Sequence, residues 1–154
     1  MALSFRRLKQ LLDYDPTTGV FTWRVDGRGR FQRKGARAGT INGQGRRQIC
    51  IDCVIYQCAR LAVFWMTGHM PRRLIDHRNR IRNDDRWSNL RSATYSQNGA
   101  NNDARGVSWD RERGKYKARI KVNYRTINLG RFDTEEEARD AYLVAKRRHF
   151  GQFA

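Results

Sequence analysis

The stretch that decides the fold is LIDHRNRIRNDDRWSNLRSATYSQN, which runs from Leu74 to Asn98. It combines an Asp-His pair, Asp76 and His77, with two later amides, Asn89 and Asn98, among many arginines. The turn-forming sequence NDDRWS separates two segments that can form short strands, and a helix can follow. The stretch therefore predicts a strand, a loop, a strand and a helix that gather acid, imidazole and amide groups around one metal ion.

Hydrolysis of a phosphodiester needs residue types of this kind. Water needs a general base, and histidine is suited because its pKa is near neutral. A divalent ion, held by a carboxylate and neutral oxygen donors, can stabilise the transition state and the leaving oxygen. Neighbouring side chains on a strand point to opposite faces, so Asp76 and His77 need either a bend or separate roles on the two sides. Taken singly, an Asp-His pair is commonly surface, and Asn89 can simply bond its own backbone in a turn.

Composition indicates a polyanionic partner. The chain has 154 residues and a formal net charge of +17, with a pI near 11.0 and a mean hydropathy of -0.86. The core must be modest, and double-stranded DNA is the partner that we expect; an anionic membrane is the rival. No apolar run approaches the ~18 residues that span a bilayer, and the N-terminus lacks a signal peptide. These features predict a cytoplasmic protein without a membrane contact.

The three cysteines, Cys50, Cys53 and Cys58, are odd in number and close together. We therefore expect reduced thiols rather than a disulfide framework. Cys50 and Cys53 form a C-x-x-C, but no second pair completes a tetrahedral zinc site, although His69 and His77 are near in sequence. Structural zinc is the weaker alternative, and small apolar residues in a hairpin are the preferred interpretation.

The N-terminal half reads as one helix, several short strands and a second helix. Ser4 can cap a helix over FRRLKQLLDY, and DPTTG, from Asp15 to Gly19, is a turn before the strand VFTWRV. Residues 26–40 read as a basic loop, with phosphate contact preferred over a merely solvated loop. NGQG predicts a hairpin ahead of the strands RRQICID and VIYQ, and the helix CARLAVFWMTG should end at Gly68.

The last fifty residues have a different pattern. GVSWD, KYKARIKV and RTINLGRF predict three short strands, and DTEEEARDAYLVAKRRHFG predicts a helix with a Thr134–Glu137 capping box. Period-2 placement puts Lys115, Lys117, Arg119 and Lys121 on one face of the sheet, while the helix covers the other. A domain boundary is expected near residue 103, in the linker GANNDARG, which gives domains of residues 1–103 and 104–154.

The order of these motifs resembles a known family. D-H, then N-L-R, then S-Q-N is similar to the HNH endonuclease motif in its HNN variant, found in phage and intron homing endonucleases. LLDYDPTTGVFTWR, ARLAVFWMTG and RGVSW…RTINLGRFDTEEEARDAY resemble the flanking segments of phage HNH proteins with a C-terminal AP2-type DNA-binding domain. The resemblance implies an α+β fold: a ββα-metal nuclease core, preceded by a helix and hairpins and followed by an AP2-like three-stranded antiparallel sheet packed on one helix.

The resemblance also implies roles for individual residues. Asp76 and Asn98 would hold one divalent ion, Mg²⁺ or Mn²⁺; His77 would be the general base, and Asn89 would orient His77. In the AP2-like part, Trp109, Arg111, Lys117 and Arg119 fall where that family's sheet faces DNA. The full set of predicted DNA contacts is Arg78, Arg80, Arg86, Arg91, Trp109, Arg111, Lys115, Lys117, Arg119, Lys121 and Arg125.

Three positions depart from the family pattern. Ala59-Arg60 replaces a frequent His-Arg, Arg78 replaces the apolar residue after D-H, and Asp84-Asp85-Arg86 replaces D-N-R. The four proposed active-site positions are intact. The sequence therefore predicts a metal-dependent DNA endonuclease, phage-encoded or of homing type, that acts as a monomer without a small-molecule cofactor and nicks one strand. A catalytically silent DNA-binding regulator or packaging-associated factor is the alternative, and a structural RNA-binding protein ranks last.

Overall fold

The computed structural model describes residues 3–27, 32–100 and 106–153. The chain divides into two compact units, Met1–Ser92 and Ala93–Ala154. It is a mixed α+β protein with four helices and small antiparallel sheets among the described residues. The α+β class predicted from the sequence is confirmed.

The first unit begins with a short helix and a two-stranded sheet. Ser4 caps α1 (Phe5–Leu11) by accepting a hydrogen bond from the backbone of Arg7. β1 (Leu12–Asp15) pairs antiparallel with β2 (Val20–Trp23) around the predicted DPTTG turn. The expected helix was therefore too long, because Leu12 already has extended backbone angles and starts the strand. Alternation along β2 buries Phe21 and Trp23, as the sequence pattern predicts.

A three-stranded sheet and the longest helix of this unit follow. The sheet contains β3 (Thr40–Ile41), β4 (Arg47–Ile51) and β5 (Val54–Gln57), in that order. α2 (Cys58–Thr67) ends at Gly68, whose φ of 75° makes it the expected left-handed C-cap. The predicted hairpins and the second helix are confirmed. Part of the predicted basic loop, residues 28–31, lies outside the described residues.

The fold-deciding stretch forms the predicted sequence of elements. β6 (Leu74–His77) pairs with β7 (Leu90–Ala93), and a 3-10 turn (Trp87–Asn89) precedes β7. α3 (Tyr95–Ala100) follows. Thr94 and Gln97 exchange hydrogen bonds at the start of α3: the Thr94 backbone donates to Gln97 Oε1, and the Gln97 backbone donates to Thr94 Oγ1.

The apolar core of the first unit joins α1, β1, β2, β4 and α2. Its largest fully buried members are Phe21, Leu8, Leu12, Ile49, Leu61 and Cys58. Ile75 of β6 and Leu90 of β7 belong to the same cluster. The two strands of the candidate site are thus anchored in the core through these side chains.

The second unit is a three-stranded antiparallel sheet covered by a helix. The strands are β8 (Val107–Asp110), β9 (Lys115–Val122) and β10 (Arg125–Phe132), with β9 in the centre. α4 (Glu135–Phe150) packs on the sheet and begins with the predicted capping box. A short 3-10 turn (Gly151–Phe153) follows. The core of this unit consists of Ala93, Ala100, Ile120, Ala145, Phe150 and Phe153.

The boundary between the two units lies earlier in the chain than the boundary expected near residue 103. The predicted boundary near residue 103 lies outside the described residues. The observed division falls between Ser92 and Ala93, which assigns α3 to the second unit. The physical reason is that Ala93 and Ala100 are buried in the core of that unit.

Candidate active site

The end of β6 and the start of β7 are joined by a direct backbone contact. The Arg78 N–H donates to the Asn89 carbonyl oxygen at 2.9 Å. Residues 78–89 therefore form a closed loop that leaves β6 immediately after His77 and returns just before Leu90. The predicted general base and the predicted orienting amide lie at the two ends of this loop.

His77 forms a buried pair with Asp85. Its Nε2 lies 3.1 Å from Asp85 Oδ1, and the two side chains are 4% and 2% exposed. A carboxylate at this distance favours the tautomer with the proton on Nε2, because that nitrogen can then donate. Nδ1 is then the nitrogen that carries the lone pair. A buried carboxylate therefore fixes the His77 ring in the way that a general base requires.

The other oxygen of Asp85 has no such contact. Asp85 Oδ2 is buried and has no hydrogen-bond partner among the residues that the structure describes. A buried anion in this state is costly, since desolvation is only partly compensated by the hydrogen bond on Oδ1. Its field reaches Cys58, where burial first and then the Asp85 carboxylate raise the pKa of the thiol. Asp85 is thus held close to the imidazole at a cost in stability.

Asp85 was missed among the site residues predicted from the sequence. Its only sequence signal is the departure at Asp84-Asp85-Arg86, where the family has D-N-R. An acid at a position where an amide is usual changes the charge beside His77. That signal identifies the residue but not its partner, because His77 lies eight positions away across the loop.

Asn89 organises the loop. Its Oδ1 accepts a hydrogen bond from the Asn79 N–H at 3.0 Å. Its Nδ2 donates to Asn79 Oδ1 at 3.0 Å and to the Asp84 carbonyl oxygen at 2.7 Å. Asn89 is itself buried. These contacts fix the residue immediately before Asp85, so Asn89 supports the segment that carries the acid facing His77.

Asp76 is paired with Arg91 of the neighbouring strand. Arg91 Nε donates to Asp76 Oδ2 at 2.8 Å, and the side chains are 6% and 7% exposed. The expectation that Arg91 contacts DNA phosphate at the surface is wrong, because the guanidinium is buried against a carboxylate. A buried pair of this kind stabilises each ion mainly by compensating its partner's lost hydration.

Asp76 carries a donor type that suits a hard divalent ion. A carboxylate is a charged oxygen donor for such an ion, and the amide oxygen of Asn98, the other ligand implied by the resemblance, is a neutral one. Asn98 is half-buried on α3, in the second unit. Among the described residues there is no group of three or more His, Cys, Asp and Glu side chains placed to hold a metal. An ion here would therefore depend on amide, water or phosphate oxygens beside Asp76.

Tyr14 and the DPTTG turn after it contact the loop at residues 85–87. The Tyr14 hydroxyl group donates to the Asp85 carbonyl oxygen at 2.7 Å, and the Trp87 N–H donates to the Pro16 carbonyl oxygen at 3.0 Å. Gly19 has a φ of +72°, and a Cβ there would lie 2.4 Å from the Arg86 nitrogen. The glycine thus permits a close approach of two backbones as well as the turn itself.

Three arginines of the loop, Arg78, Arg80 and Arg86, are predicted DNA contacts, and they differ in their ion pairing and exposure. Arg86 makes two hydrogen bonds to Asp84, at 2.7 and 2.6 Å, and these bonds lower the pKa of the Asp84 carboxyl to about 2. Its charge is therefore partly compensated. Arg78 and Arg80 are exposed on the loop.

The sheet of the second unit carries a cationic face. Arg119 and Lys121 are exposed, Lys117 is half-buried, and all three share one side of β9. Arg131 of β10 lies opposite Lys117 and donates to Asp110 Oδ2 at 2.9 Å, whose pKa that bond lowers. Lys115 pairs with Asp133 at 3.1 Å. We call the side chains of Lys117, Arg119, Lys121 and Arg131 the cationic face.

Trp109 and Arg125 lie on the other face of this sheet. Trp109 pairs with Tyr116 in the register, and the ring centroids are 4.7 Å apart. Arg125 pairs with Val122. Directly opposed residues share a face, so both belong to the side that carries Ala118 and Ile120, which α4 covers. Trp109 therefore does not share a face with Lys117 and Arg119, where the resemblance placed it. Arg111 is exposed in the turn between β8 and β9.

The cysteines are free, as expected. Cys50 and Cys53 are exposed, and Cys58 is buried. Cys53 lies at the two-residue turn between β4 and β5, where it and Asp52 have positive φ angles. In the part of the chain that the structure describes, no helix has the length and apolar character to cross a membrane.

Comparisons with known proteins add no relative. No protein-family model matches the chain, and neither a curated protein nor a solved structure matches it.

Proposed function

We propose that this chain is a metal-dependent DNA endonuclease of the HNH type that nicks one strand of duplex DNA. The observation that supports it most is the buried pair of His77 and Asp85 at the end of β6, next to Asp76. A net charge of +17 supplies the attraction for a polyanion. The strand–loop–strand–helix order of the fold-deciding stretch agrees with the resemblance.

In this proposal His77 is the general base, and residues of the loop after it hold it in position. His77 takes the proton from the attacking water, while Asp85 contacts Nε2 and stabilises the imidazolium that forms. Asn89 keeps the loop backbone in place through Asn79 and Asp84. Asp85 thus takes over the orienting role that the resemblance gives to Asn89, and Asn89 acts through the loop.

The ion would be Mg²⁺ or Mn²⁺. Asp76 would hold it, with further oxygens from water and phosphate. A bound divalent ion would supply charge stabilisation for the pentacoordinate transition state and for the leaving 3′ oxygen. Arg91 holds the Asp76 carboxylate in position through the hydrogen bond from its Nε.

A catalytically silent DNA-binding protein is the second candidate. The buried Asp76–Arg91 pair favours it, because the guanidinium already compensates the charge that would attract a metal. The two functions predict the same salt-dependent DNA binding. They differ only in whether divalent ions cause cleavage.

Supercoiled plasmid separates them. The full chain should convert supercoiled DNA to the open-circular form with Mg²⁺ or Mn²⁺, and excess EDTA should stop the reaction. His77→Ala should bind DNA as well as the unmodified chain but lose at least about 100-fold in nicking rate, the lower end for loss of a general base. His149→Ala, an exposed histidine in the last turn of α4, is the matched control. Full activity of His77→Ala would remove the proposed base, and no nicking with any divalent ion would leave the binding function.

A further inference from the structure

The tip of the loop after His77 exposes a large apolar side chain. Ile81 is 54% exposed. It follows one tight turn, in which the Arg80 N–H donates to the His77 carbonyl oxygen at 3.1 Å. It also begins the next, in which the Asp84 N–H donates to the Ile81 carbonyl oxygen at 3.1 Å. Arg80 has a φ of +63°, so the chain reverses sharply just before the isoleucine.

The tip is held in place by side chains of the site. Asn79 Oδ1 accepts from the Ile81 N–H at 2.9 Å, and Asn79 Nδ2 donates to Asp84 Oδ2 at 2.6 Å. The buried Asn89 amide in turn donates to Asn79 Oδ1. Because the backbone on both sides of Ile81 is fixed, presenting its side chain to a partner costs little conformational entropy.

Cationic residues flank the isoleucine in sequence. Arg80 and Arg82 are both exposed, and Arg82 Nη1 donates to the Gln44 carbonyl oxygen at 3.1 Å in the turn between β3 and β4. A single exposed apolar residue is common on protein surfaces and by itself means nothing. Here its neighbours in sequence are two exposed arginines, on a rigid turn that starts at the proposed base. Proteins that unstack DNA combine these two features, an apolar wedge and adjacent cations for the phosphates.

We propose that Ile81 is a wedge that enters the minor groove of duplex DNA and unstacks one base step, with Arg80 and Arg82 contacting the phosphates beside it. The inference rests on the proposed function, since it takes duplex DNA as the ligand. Unstacking next to His77 would bend the duplex and open the phosphate of that step to the loop.

The test uses the full chain in EDTA, so that no DNA is cut, and duplexes of about 24 base pairs. One duplex carries 2-aminopurine beside a central TA step, which unstacks easily, and a second carries a T·T mismatch at that step. Binding should raise the 2-aminopurine fluorescence. It should also be about tenfold tighter for the mismatched duplex, since unstacking a step costs a few kcal/mol and the mismatch removes part of that cost.

Ile81→Ala should lose both the fluorescence rise and the preference for the mismatch, and Ile81→Leu should keep them. Ile55→Ala is the matched control, because Ile55 is 62% exposed on β5 and should behave as the unmodified chain. Equal fluorescence and equal mismatch preference for Ile81→Ala and the unmodified chain would overturn the wedge. Failure of the unmodified chain to bind either duplex would overturn it together with the proposed function. Unstacking without nicking in the plasmid assay would remove only the nuclease, and nicking without unstacking would remove only the wedge.

Discussion

The hydroxyl group of Tyr14 donates a hydrogen bond of 2.7 Å to the backbone carbonyl oxygen of Asp85 across 71 positions of sequence. Tyr14 belongs to β1 and is buried, and burial first and then the Asp85 carboxylate raise the pKa of its hydroxyl group. The hydroxyl group therefore stays protonated, and able to donate, above its ordinary pKa. Its hydrogen bond positions the backbone of the residue whose side chain contacts His77.

Tyr14→Phe should lower both stability and nicking. The change leaves a buried carbonyl oxygen without its donor, which costs about 1–3 kcal/mol of unfolding free energy. Denaturant unfolding measures this loss, and the plasmid assay under folded conditions measures the effect on rate. Tyr95→Phe is the control, because Tyr95 is 72% exposed. Unchanged stability in Tyr14→Phe would mean that the Asp85 carbonyl oxygen finds another donor.

Gly19→Ala should be more destabilising than Gly35→Ala. Both glycines have positive φ, +72° and +80°, so both variants suffer backbone strain of about 1 kcal/mol. A Cβ at Gly35 meets nothing within 4 Å, whereas one at Gly19 overlaps the backbone of Asp85 and Arg86. The excess loss in Gly19→Ala, measured by thermal or denaturant unfolding, reports the docking of the DPTTG turn on the loop. Equal losses for the two variants would contradict that docking.

The sequence was sufficient for most elements because each carries a local signal. Gly68 ends α2, Thr134 and Glu137 cap α4, and the alternation in KYKARIKV sorts β9 into two faces. The first helix was placed too long because Leu12 continues the apolar spacing of α1. The conformation of Leu12 is decided by its pairing with Trp23 in the neighbouring strand. The apolar spacing within the helix gives no sign of that pairing.

The candidate site could be predicted only in part. The chemistry of Asp76, His77, Asn89 and Asn98 follows from residue types, but the partners do not. Asp76 meets Arg91 and His77 meets Asp85 through the closure of a loop. Trp109 was placed on the wrong side because face assignment on β8 depends on its register with β9.

Arg91→Ala should destabilise the protein far more than Arg86→Ala. Removing one partner of a buried ion pair leaves the other charge buried and uncompensated, which costs about 3–5 kcal/mol. The Arg86 pair with Asp84 is half exposed on the arginine side, so its loss costs about 1 kcal/mol or less. Chemical unfolding of both variants, compared with the unmodified chain, gives the two values. If Arg91→Ala is no worse than Arg86→Ala, solvent reaches Asp76 in the folded protein.

Substitutions on the cationic face and on the opposite face of the second unit's sheet should have different effects on DNA binding. Arg119 points away from the side that α4 covers, and Arg125 lies on the same side as α4. If the cationic face contacts phosphates, Arg119→Ala should weaken binding at all sequences and reduce the slope of log K against log salt by about one. Arg125→Ala removes the same charge from the other face, so it should change the slope much less. Fluorescence anisotropy with duplex DNA over a range of salt concentrations measures both. A larger effect for Arg125→Ala than for Arg119→Ala would mean that DNA approaches the sheet from the side of α4. Both substitutions lower the net charge equally. A difference between their effects on the salt slope therefore reports a local contact and not general attraction by net charge.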